Sequence, residues 1–335
     1  MGEDRPRRRP GLDVLKGAAM ALVILNHAVL WPMRAGDRPS AFFYGIAFGT
    51  VAAFAASAGY LRGLRPPASD RAALARRARQ LLLPWVICAP VYAMAPYVWR
   101  LVGGGSLPFG FAPVPWAREI LLGGGPLWFL PVLFVSQAAC TPFIRRTRSW
   151  WPAIGALALY AIVAVPASLQ NVSPLELGKG TFWAMAPLYM AAFWFGLRLA
   201  QDGRPRIPAR TAVMIVLATM IAGGLVTLTR ALVPEARWLM WLPYAIGLVG
   251  GCVALVPAAD AETVTSGWFA AMLSRAGKAS LWLYVLHPAL VGPAVIALDG
   301  RGGVMMAALT AAGATVVGTL IVERSRRVLL PERAA

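Results

Sequence analysis

Residues 11–27 read GLDVLKGAAMALVILNH, and they open a run of mostly apolar residues that extends to residue 32. A run of about 20 such residues is long enough to cross the hydrocarbon core of a bilayer as a helix. Only helices and closed barrels satisfy their backbone polar groups there, so the sequence predicts an all-α, polytopic membrane helical bundle. About ten transmembrane helices are predicted, at residues 12–32, 41–61, 80–101, 124–144, 150–168, 181–200, 211–231, 238–257, 279–298 and 304–323.

The composition excludes most other classes of protein. Of 335 residues, 59% are hydrophobic and 14% are charged, and the mean hydropathy is +0.63. Soluble domains are about half apolar and about a quarter charged. So much apolar sequence also excludes intrinsic disorder. The three cysteines, Cys88, Cys140 and Cys252, are too few for a disulfide scaffold and too far apart for a metal site, so they are expected to be small buried side chains.

The net charge of +18 indicates an orientation in the membrane rather than binding to nucleic acid. With the N-terminus placed inside, 24 of the 32 Lys and Arg residues fall on the inner side. This bias predicts that both termini are cytoplasmic. Residues 1–10 and 325–335 are then cytoplasmic tails around a membrane domain over residues 11–324. Because Arg far outnumbers Lys, and Ala, Gly and Pro abound, the expected location is a bacterial cytoplasmic membrane.

The basic residues before the first run resemble the start of a signal peptide. The run is longer than a signal peptide needs, and no clear cleavage site follows it, which favours an uncleaved first helix. That helix carries Lys16 and His27, whose spacing of eleven residues places them on one face about 16 Å apart. Ionisable residues within a span usually mark function. Lys16 could also extend to the interface, and His27 could be a hydrogen-bonded packing residue.

The second histidine lies in residues 280–288, which read SLWLYVLHP. Ser280 and Tyr284 share a helix face with His287. Pro288 has no N–H for the carbonyl one turn back, so the sequence predicts a kink here. His287 could contact a substrate, or it could hold the kinked helix by a hydrogen bond across the bundle, and the sequence leaves both possibilities open.

Two further stretches are candidates for ligand contact. Arg76 and Arg79 place two cations on one side of a helix start, where they could bind phosphates or only lipid headgroups. Residues 123–131 read GGGPLWFLP, a glycine-rich break before an aromatic helix start. This break could line a cavity near the outer face, or it could be a loop before an interfacial aromatic belt.

Together these motifs resemble the acyltransferase 3 family of integral membrane acyltransferases, over about residues 11–327. The family's Arg/Lys-x10-His motif in the first helix falls on Lys16 and His27, and its Arg-x-x-Arg motif falls on Arg76 and Arg79. Three further segments are similar to the family's later motifs: residues 127–130 (LWFL), 277–287 (GKASLWLYVLH) and 321–324 (IVER), where Ser325 stands in place of the usual proline.

The resemblance implies transfer of an acyl group, often acetyl, from a cytoplasmic acyl-CoA to a hydroxyl or an amine. Acceptors in the family are commonly cell-envelope carbohydrates, and some members modify small molecules. Acyl-CoA is thus expected as a substrate, with no permanently bound cofactor and no metal. Some members carry an extra extracytoplasmic domain, whereas this chain is expected to be a stand-alone membrane unit. Its expected partners are acyl-CoA, the acceptor and membrane lipid.

The reaction assigns a role to each candidate residue. An acceptor hydroxyl needs a general base, and a neutral histidine at position 27 is the expected one. His287 and Tyr284 are expected to position the acceptor or to stabilise the oxyanion. An acyl-enzyme on Ser57 or Ser280 lacks any supporting nucleophile motif. The expected CoA-binding residues are Lys16, Arg76 and Arg79, and the expected substrate contacts are Asn26, Trp128 and Ser280.

Two other functions are compatible with parts of the sequence. A transporter or flippase would also use broken helices and polar residues within the membrane, although no inverted repeat is visible. A membrane scaffold without chemistry would leave the pairing of Lys16 and His27 on one helix face unexplained.

Overall fold

The computed structural model describes residues 9–30, 42, 48–67, 69–102, 127–169, 185–203, 207–233, 236, 239, 242–260, 267–298 and 303–329. These residues form eleven helices and no strand, which confirms the all-α prediction for the described part of the chain. The helices are α1 (Pro10–Leu30), α2 (Phe48–Leu64), α3 (Asp70–Val102), α4 (Phe129–Ile144), α5 (Trp151–Leu169), α6 (Ala186–Gln201), α7 (Ala209–Leu232), α8 (Leu242–Asp260), α9 (Trp268–Lys278), α10 (Ser280–Leu298) and α11 (Gly303–Leu329).

Each of the ten predicted apolar runs overlaps a helix of the described chain. Three of those helices are long and apolar enough to cross a membrane: Pro10–Ala28, Ala209–Thr229 and Leu242–Ala259. Others are apolar but shorter, such as Phe129–Ile144 with 16 residues. The number of crossings and the side on which the termini lie stay predictions.

The outer faces of several helices are apolar, as the surface of a membrane protein should be. Large hydrophobic side chains are exposed along α3, α5, α7 and α11, whereas soluble proteins rarely expose such continuous apolar surface. These faces suit contact with lipid chains. They include Leu83, Val86, Ile87 and Val91 on α3, Ile154 and Ile162 on α5, Met214, Leu217 and Ile221 on α7, and Leu309, Val317 and Leu320 on α11.

Glycines let α1 and α9 approach until their backbones touch. A Cβ atom added at Gly17 would lie 1.9 Å from the carbonyl oxygen of Leu273, and one added at Gly277 would lie 1.7 Å from the carbonyl oxygen of Asp13. No side chain could occupy either position at this separation. The crossing of α1 and α9 therefore explains why glycine occupies both positions, 17 in the first-helix motif and 277 just before α10.

Ten residues further along the sequence from each glycine, α1 makes a second contact, this time with α10. His27 on α1 packs against His287 on α10, with 4.7 Å between the ring centroids. Only Ala279 separates α9 from α10, and its N–H still donates to the carbonyl of Arg275 at 3.1 Å. Because Gly17 meets Gly277 and His27 meets His287 in the same order, α1 runs parallel to the path formed by α9 and α10.

Ion pairs and hydrogen bonds join helix ends along one face of the bundle. Arg9 before α1 donates to the carbonyl of Ala259 at the end of α8, at 2.8 Å. Arg275 on α9 pairs with Glu323 near the end of α11 through two bonds of 2.9 and 2.5 Å. These residues all belong to segments predicted to lie on or near the cytoplasmic side, so the structure gathers them on one face.

Candidate functional site

A cavity of about 190 Å³ lies among α1, α2, α3, α4 and α10. It brings together three residues that the sequence singled out in different segments, namely Lys16, Ser280 and Tyr284. Its walls are mostly apolar, and polar side chains enter it from several helices. The lining residues are Lys16, Phe54, Ser57, Ala58, Leu61, Arg77, Gln80, Leu81, Phe129, Leu130, Leu133, Ser280, Leu281 and Tyr284.

A second cavity, of about 320 Å³, adjoins the first and is richer in polar atoms. The two cavities share Leu61, Arg77 and Gln80 in their walls, so these side chains lie at the boundary between them. We call the second one the arginine cavity, because four of its lining residues are arginines: Arg62, Arg65, Arg76 and Arg77. The first is the inner cavity.

An acidic residue, Asp70, pairs with one of the arginines of this cavity. Asp70 pairs with Arg62 at 2.5 Å and with Arg145 at 3.2 Å, so one carboxylate serves two guanidinium groups. Burial lowers the pKa of Arg77, and the neighbouring charges of Arg62 and Arg76 lower it further. Cations crowded in this way favour an anionic ligand, and phosphate is the anion that arginine binds best through paired hydrogen bonds.

The two arginines of the family motif differ in their placement. Arg76 lines the arginine cavity, whereas Arg79 is exposed and lines neither cavity. Sequence reasoning missed Arg77, which lines both cavities and donates to Oε1 of Gln80 at 3.1 Å. The spacing of buried residues along α3 could have indicated that Arg77 faces inward. Arg77 lies midway between the buried Ala73 and Leu81, four residues from each.

Lys16 lies at the inner cavity rather than among the arginines. Its Nζ pairs with Oδ1 of Asp13 at 2.9 Å, one helical turn earlier, and the Asp13 side chain is almost wholly buried. The pair brings a cation into the cavity wall with part of its charge already balanced. Lys16 is therefore placed to orient a ligand in the inner cavity, whose wall it shares with Arg77.

The two histidines form a buried pair with defined tautomers. Nδ1 of His27 lies 3.1 Å from the carbonyl oxygen of Val23, and Nδ1 of His287 lies 2.6 Å from that of Tyr284. A carbonyl only accepts, so both Nδ1 atoms carry the proton when the rings are neutral, and both Nε2 atoms carry the lone pair. Nε2 of His287 is buried and has no hydrogen-bond partner among the described residues.

Tyr284 connects the inner cavity to the histidine pair. Its ring packs against His287 with 5.3 Å between centroids, and its hydroxyl lies at the cavity wall. The backbone N–H of Phe129, at the start of α4, donates to this hydroxyl at 3.4 Å. The hydroxyl of Ser57 is also buried in the cavity wall and lacks a hydrogen-bond partner among the described residues.

The remaining predicted contacts lie outside the two cavities. Trp128 is half-buried and packs against Phe129 and Tyr189, with 6.0 Å between ring centroids in each case. Asn26 precedes His27, and its Oδ1 is buried without a partner in the described part of the chain. The glycines at 123–125 and the basic tail at 1–8 lie outside the described residues.

These features define a class of protein. The described residues form an all-helical bundle with apolar outer faces, a cavity lined by four arginines, and two histidines in contact. These features are compatible with a membrane enzyme. The model of the acyltransferase 3 family, described as an acyltransferase domain, matches residues 9–324, nearly the whole chain. The chain belongs to this family and is, in general terms, a membrane acyltransferase. No curated protein and no solved structure matches it.

Proposed function

We propose that this protein transfers an acetyl group from acetyl-CoA to a hydroxyl of a cell-envelope carbohydrate or related small molecule, with His27 as the general base. An amine acceptor would be handled by the same chemistry. The observation that carries the proposal is that the arginine cavity adjoins the inner cavity, with three lining residues in common. It matches a ligand with an anionic head and a reactive end several ångströms deeper.

The two cavities suit the two ends of acyl-CoA. The phosphates of CoA would bind the guanidinium groups of Arg62, Arg65, Arg76 and Arg77, where charge-assisted hydrogen bonds are strongest. The pantetheine arm would pass between Arg77 and Gln80 into the inner cavity. That cavity holds about 190 Å³ and is lined by large side chains such as Phe54 and Leu133, and this small volume supports a short acyl group.

His27, Tyr284 and Ser57 account for each proton transfer and each hydrogen bond that the reaction needs. His27 Nε2 takes the proton of the acceptor hydroxyl as its oxygen attacks the thioester carbon. The oxyanion of the tetrahedral intermediate accepts hydrogen bonds from the hydroxyls of Tyr284 and Ser57. The carbon–sulfur bond then breaks, the acetyl group stays on the acceptor, and the CoA thiolate takes the proton from His27.

Direct transfer is favoured over an acyl-enzyme. A serine nucleophile needs a base within hydrogen-bond reach. Ser57 has no such partner in the described part of the chain, although its hydroxyl lines the inner cavity. We therefore assign Ser57 a role as hydrogen-bond donor, and intact-mass spectrometry after incubation with acetyl-CoA alone should show no added acetyl group.

Family membership favours this function over transport. A transporter or flippase would move its substrate without changing its covalent structure, whereas an acyltransferase releases CoA. Protein in lipid nanodiscs should release CoA from acetyl-CoA when envelope carbohydrate is added, and only when it is added. Passage of a carbohydrate across proteoliposomes with no CoA release would favour transport instead.

The decisive experiment follows radiolabel from acetyl-CoA into the carbohydrate fraction of membranes that contain wild-type protein or His27→Ala. A general base contributes about 10²–10⁴-fold to rate, so the variant should transfer label at least about a hundredfold more slowly. Its binding of acetyl-CoA should be unchanged, because the phosphates of CoA are assigned to the arginine cavity, which His27 does not line. Equal transfer by the two proteins would show that the base is wrongly assigned.

A further inference from the structure

The carbonyl of Tyr284 lies four residues before a proline of α10. In a helix, this oxygen accepts from the backbone N–H four residues later, which here would belong to residue 288. Residue 288 is proline, and proline has no N–H to donate. The helix nevertheless continues through Pro288 to Leu298. A buried carbonyl without a donor is costly, so another group has to satisfy it.

The side chain of His287 satisfies this carbonyl. Its Nδ1 lies 2.6 Å from the Tyr284 oxygen, within the same turn of α10. His27 offers an internal comparison, because its Nδ1 lies 3.1 Å from the oxygen of Val23. Val23 is four residues before His27 in an unbroken helix, so its oxygen already accepts the backbone N–H of His27. The shorter bond occurs where residue i+4 is a proline and has no N–H to donate.

The consequence for His287 is a single tautomer. With the proton held on Nδ1, the lone pair lies on Nε2, which is fully buried and has no partner among the described residues. In this form the neutral ring cannot donate from Nε2. The sequence-based expectation that His287 stabilises an oxyanion therefore does not fit the geometry, and a role as proton acceptor does.

We propose that Pro288 is a positioning residue for acyl transfer: it leaves the Tyr284 carbonyl to His287 Nδ1 and so holds His287 Nε2 as a second proton acceptor beside His27. The rings of His27 and His287 are 4.7 Å apart, so the two acceptors serve one site. The inference rests on the proposed acyltransferase function for its catalytic part. Its structural part, the tautomer, is measurable without any turnover.

The composition of the chain makes that measurement direct. Only two histidines are present, so histidine labelled with ¹⁵N in the ring gives signals from two residues once the purification tag contains none. Ring ¹⁵N shifts distinguish protonated from unprotonated nitrogens, and the spectrum of His27→Gln assigns the signals of His287. In wild-type protein in bilayers at neutral pH, His287 should carry its proton on Nδ1. A proton on Nε2 would overturn the inference.

The variant Pro288→Ala restores the competing N–H. We expect the His287 signals to shift towards the Nε2-protonated form and kcat for acetyl transfer to fall about tenfold, the change expected for exchange of one hydrogen bond. KM for acetyl-CoA should stay unchanged. Pro257→Ala is the matched control, because it restores an N–H inside α8 at a residue that lines neither cavity. It should change neither the His287 tautomer nor kcat.

Each combination of results has one meaning. A lower kcat with an unchanged tautomer would overturn the proposal, because Pro288 would then act only on packing. A shifted tautomer with unchanged kcat would overturn the catalytic role of His287. If Pro288→Ala does not fold, the wild-type spectrum alone decides the tautomer. Wild-type protein that shows Nδ1–H on His287 but transfers no acyl group would refute the proposed function and leave the structural part standing.

Discussion

The variant Gly17→Ala should force α1 away from α9. The added methyl group would lie 1.9 Å from the carbonyl oxygen of Leu273, and real contacts of this kind essentially never fall below 3.0 Å. The two helices must therefore separate locally by about 1.1 Å, because both clashing groups are fixed to backbone. Overpacking of this kind costs about 1–3 kcal/mol, and we expect the upper end because no side-chain rotation can relieve it.

A matched control shows the same substitution without the clash. Gly313 lies within α11, and a Cβ added there meets no atom within 4 Å. Alanine is the better helix former by about 0.5–1 kcal/mol, so Gly313→Ala should stabilise the protein slightly. Replacing glycine by alanine is thus expected to lower the free energy of unfolding at position 17 and to raise it at position 313, with a difference of about 2–4 kcal/mol between the two variants.

The buried cysteines provide the assay. Cys140 and Cys252 are buried and unpaired, so a thiol-reactive fluorophore reports their exposure as the protein unfolds on heating. At about 2 °C per kcal/mol for a large chain, Gly17→Ala should melt about 4–6 °C below wild type. Gly313→Ala should melt at or slightly above wild type. Acetyl transfer by Gly17→Ala should also fall, since α1 carries His27. Equal melting temperatures for the two variants would refute the backbone contact.

Three further predictions concern the cavities. Arg77→Gln should raise KM for acetyl-CoA about 10–100-fold with little change in kcat, because a charge-assisted hydrogen bond is worth about 1.5–3 kcal/mol. The control variant Arg71→Gln, at an exposed arginine, should change KM less than about threefold. Steady-state kinetics at low and high salt measure the KM of each variant, and equal effects would contradict the binding of CoA in the arginine cavity. In Asp70→Asn, Arg62 and Arg145 lose their shared carboxylate, so the free energy of unfolding should fall by about 1 kcal/mol while CoA binds more tightly. Isothermal titration calorimetry measures the binding, and weaker binding would show that Asp70 organises the site. Tyr284→Phe should lower kcat about 10–100-fold at constant KM, and a change confined to KM would remove Tyr284 from the oxyanion site.

The sequence was informative where its signals are local. Apolar runs predicted the helices to within a few residues in most cases, since a helix in the membrane is decided by the hydrophobicity of its own segment. The motif around Lys16 and His27 predicted the family, which the family model confirms. The run predicted at 279–298 matches α10, whereas α9 before it was not predicted, because this short amphipathic helix has too few apolar residues to register as a span.

The site itself was less predictable. Arg77 was missed because a neighbour on a helix points about 100° away, and the motif spacing alone does not say which face meets the cavity. The surroundings of His287 were also beyond the sequence. The sequence showed that Pro288 has no N–H to donate to the Tyr284 carbonyl, but it could not show that Nδ1 of the neighbouring imidazole lies 2.6 Å from that oxygen.

The amino-acid sequence by itself determined the helical class, the family, and the pair of histidines in a chain that has no others. The tertiary structure alone decided that these histidines, 260 positions apart, lie in contact. The reason is packing. Gly17 and Gly277 remove the side chains that would hold α1 and α9 apart, and the parallel path of α9 and α10 then carries His287 to His27 after ten residues on each helix.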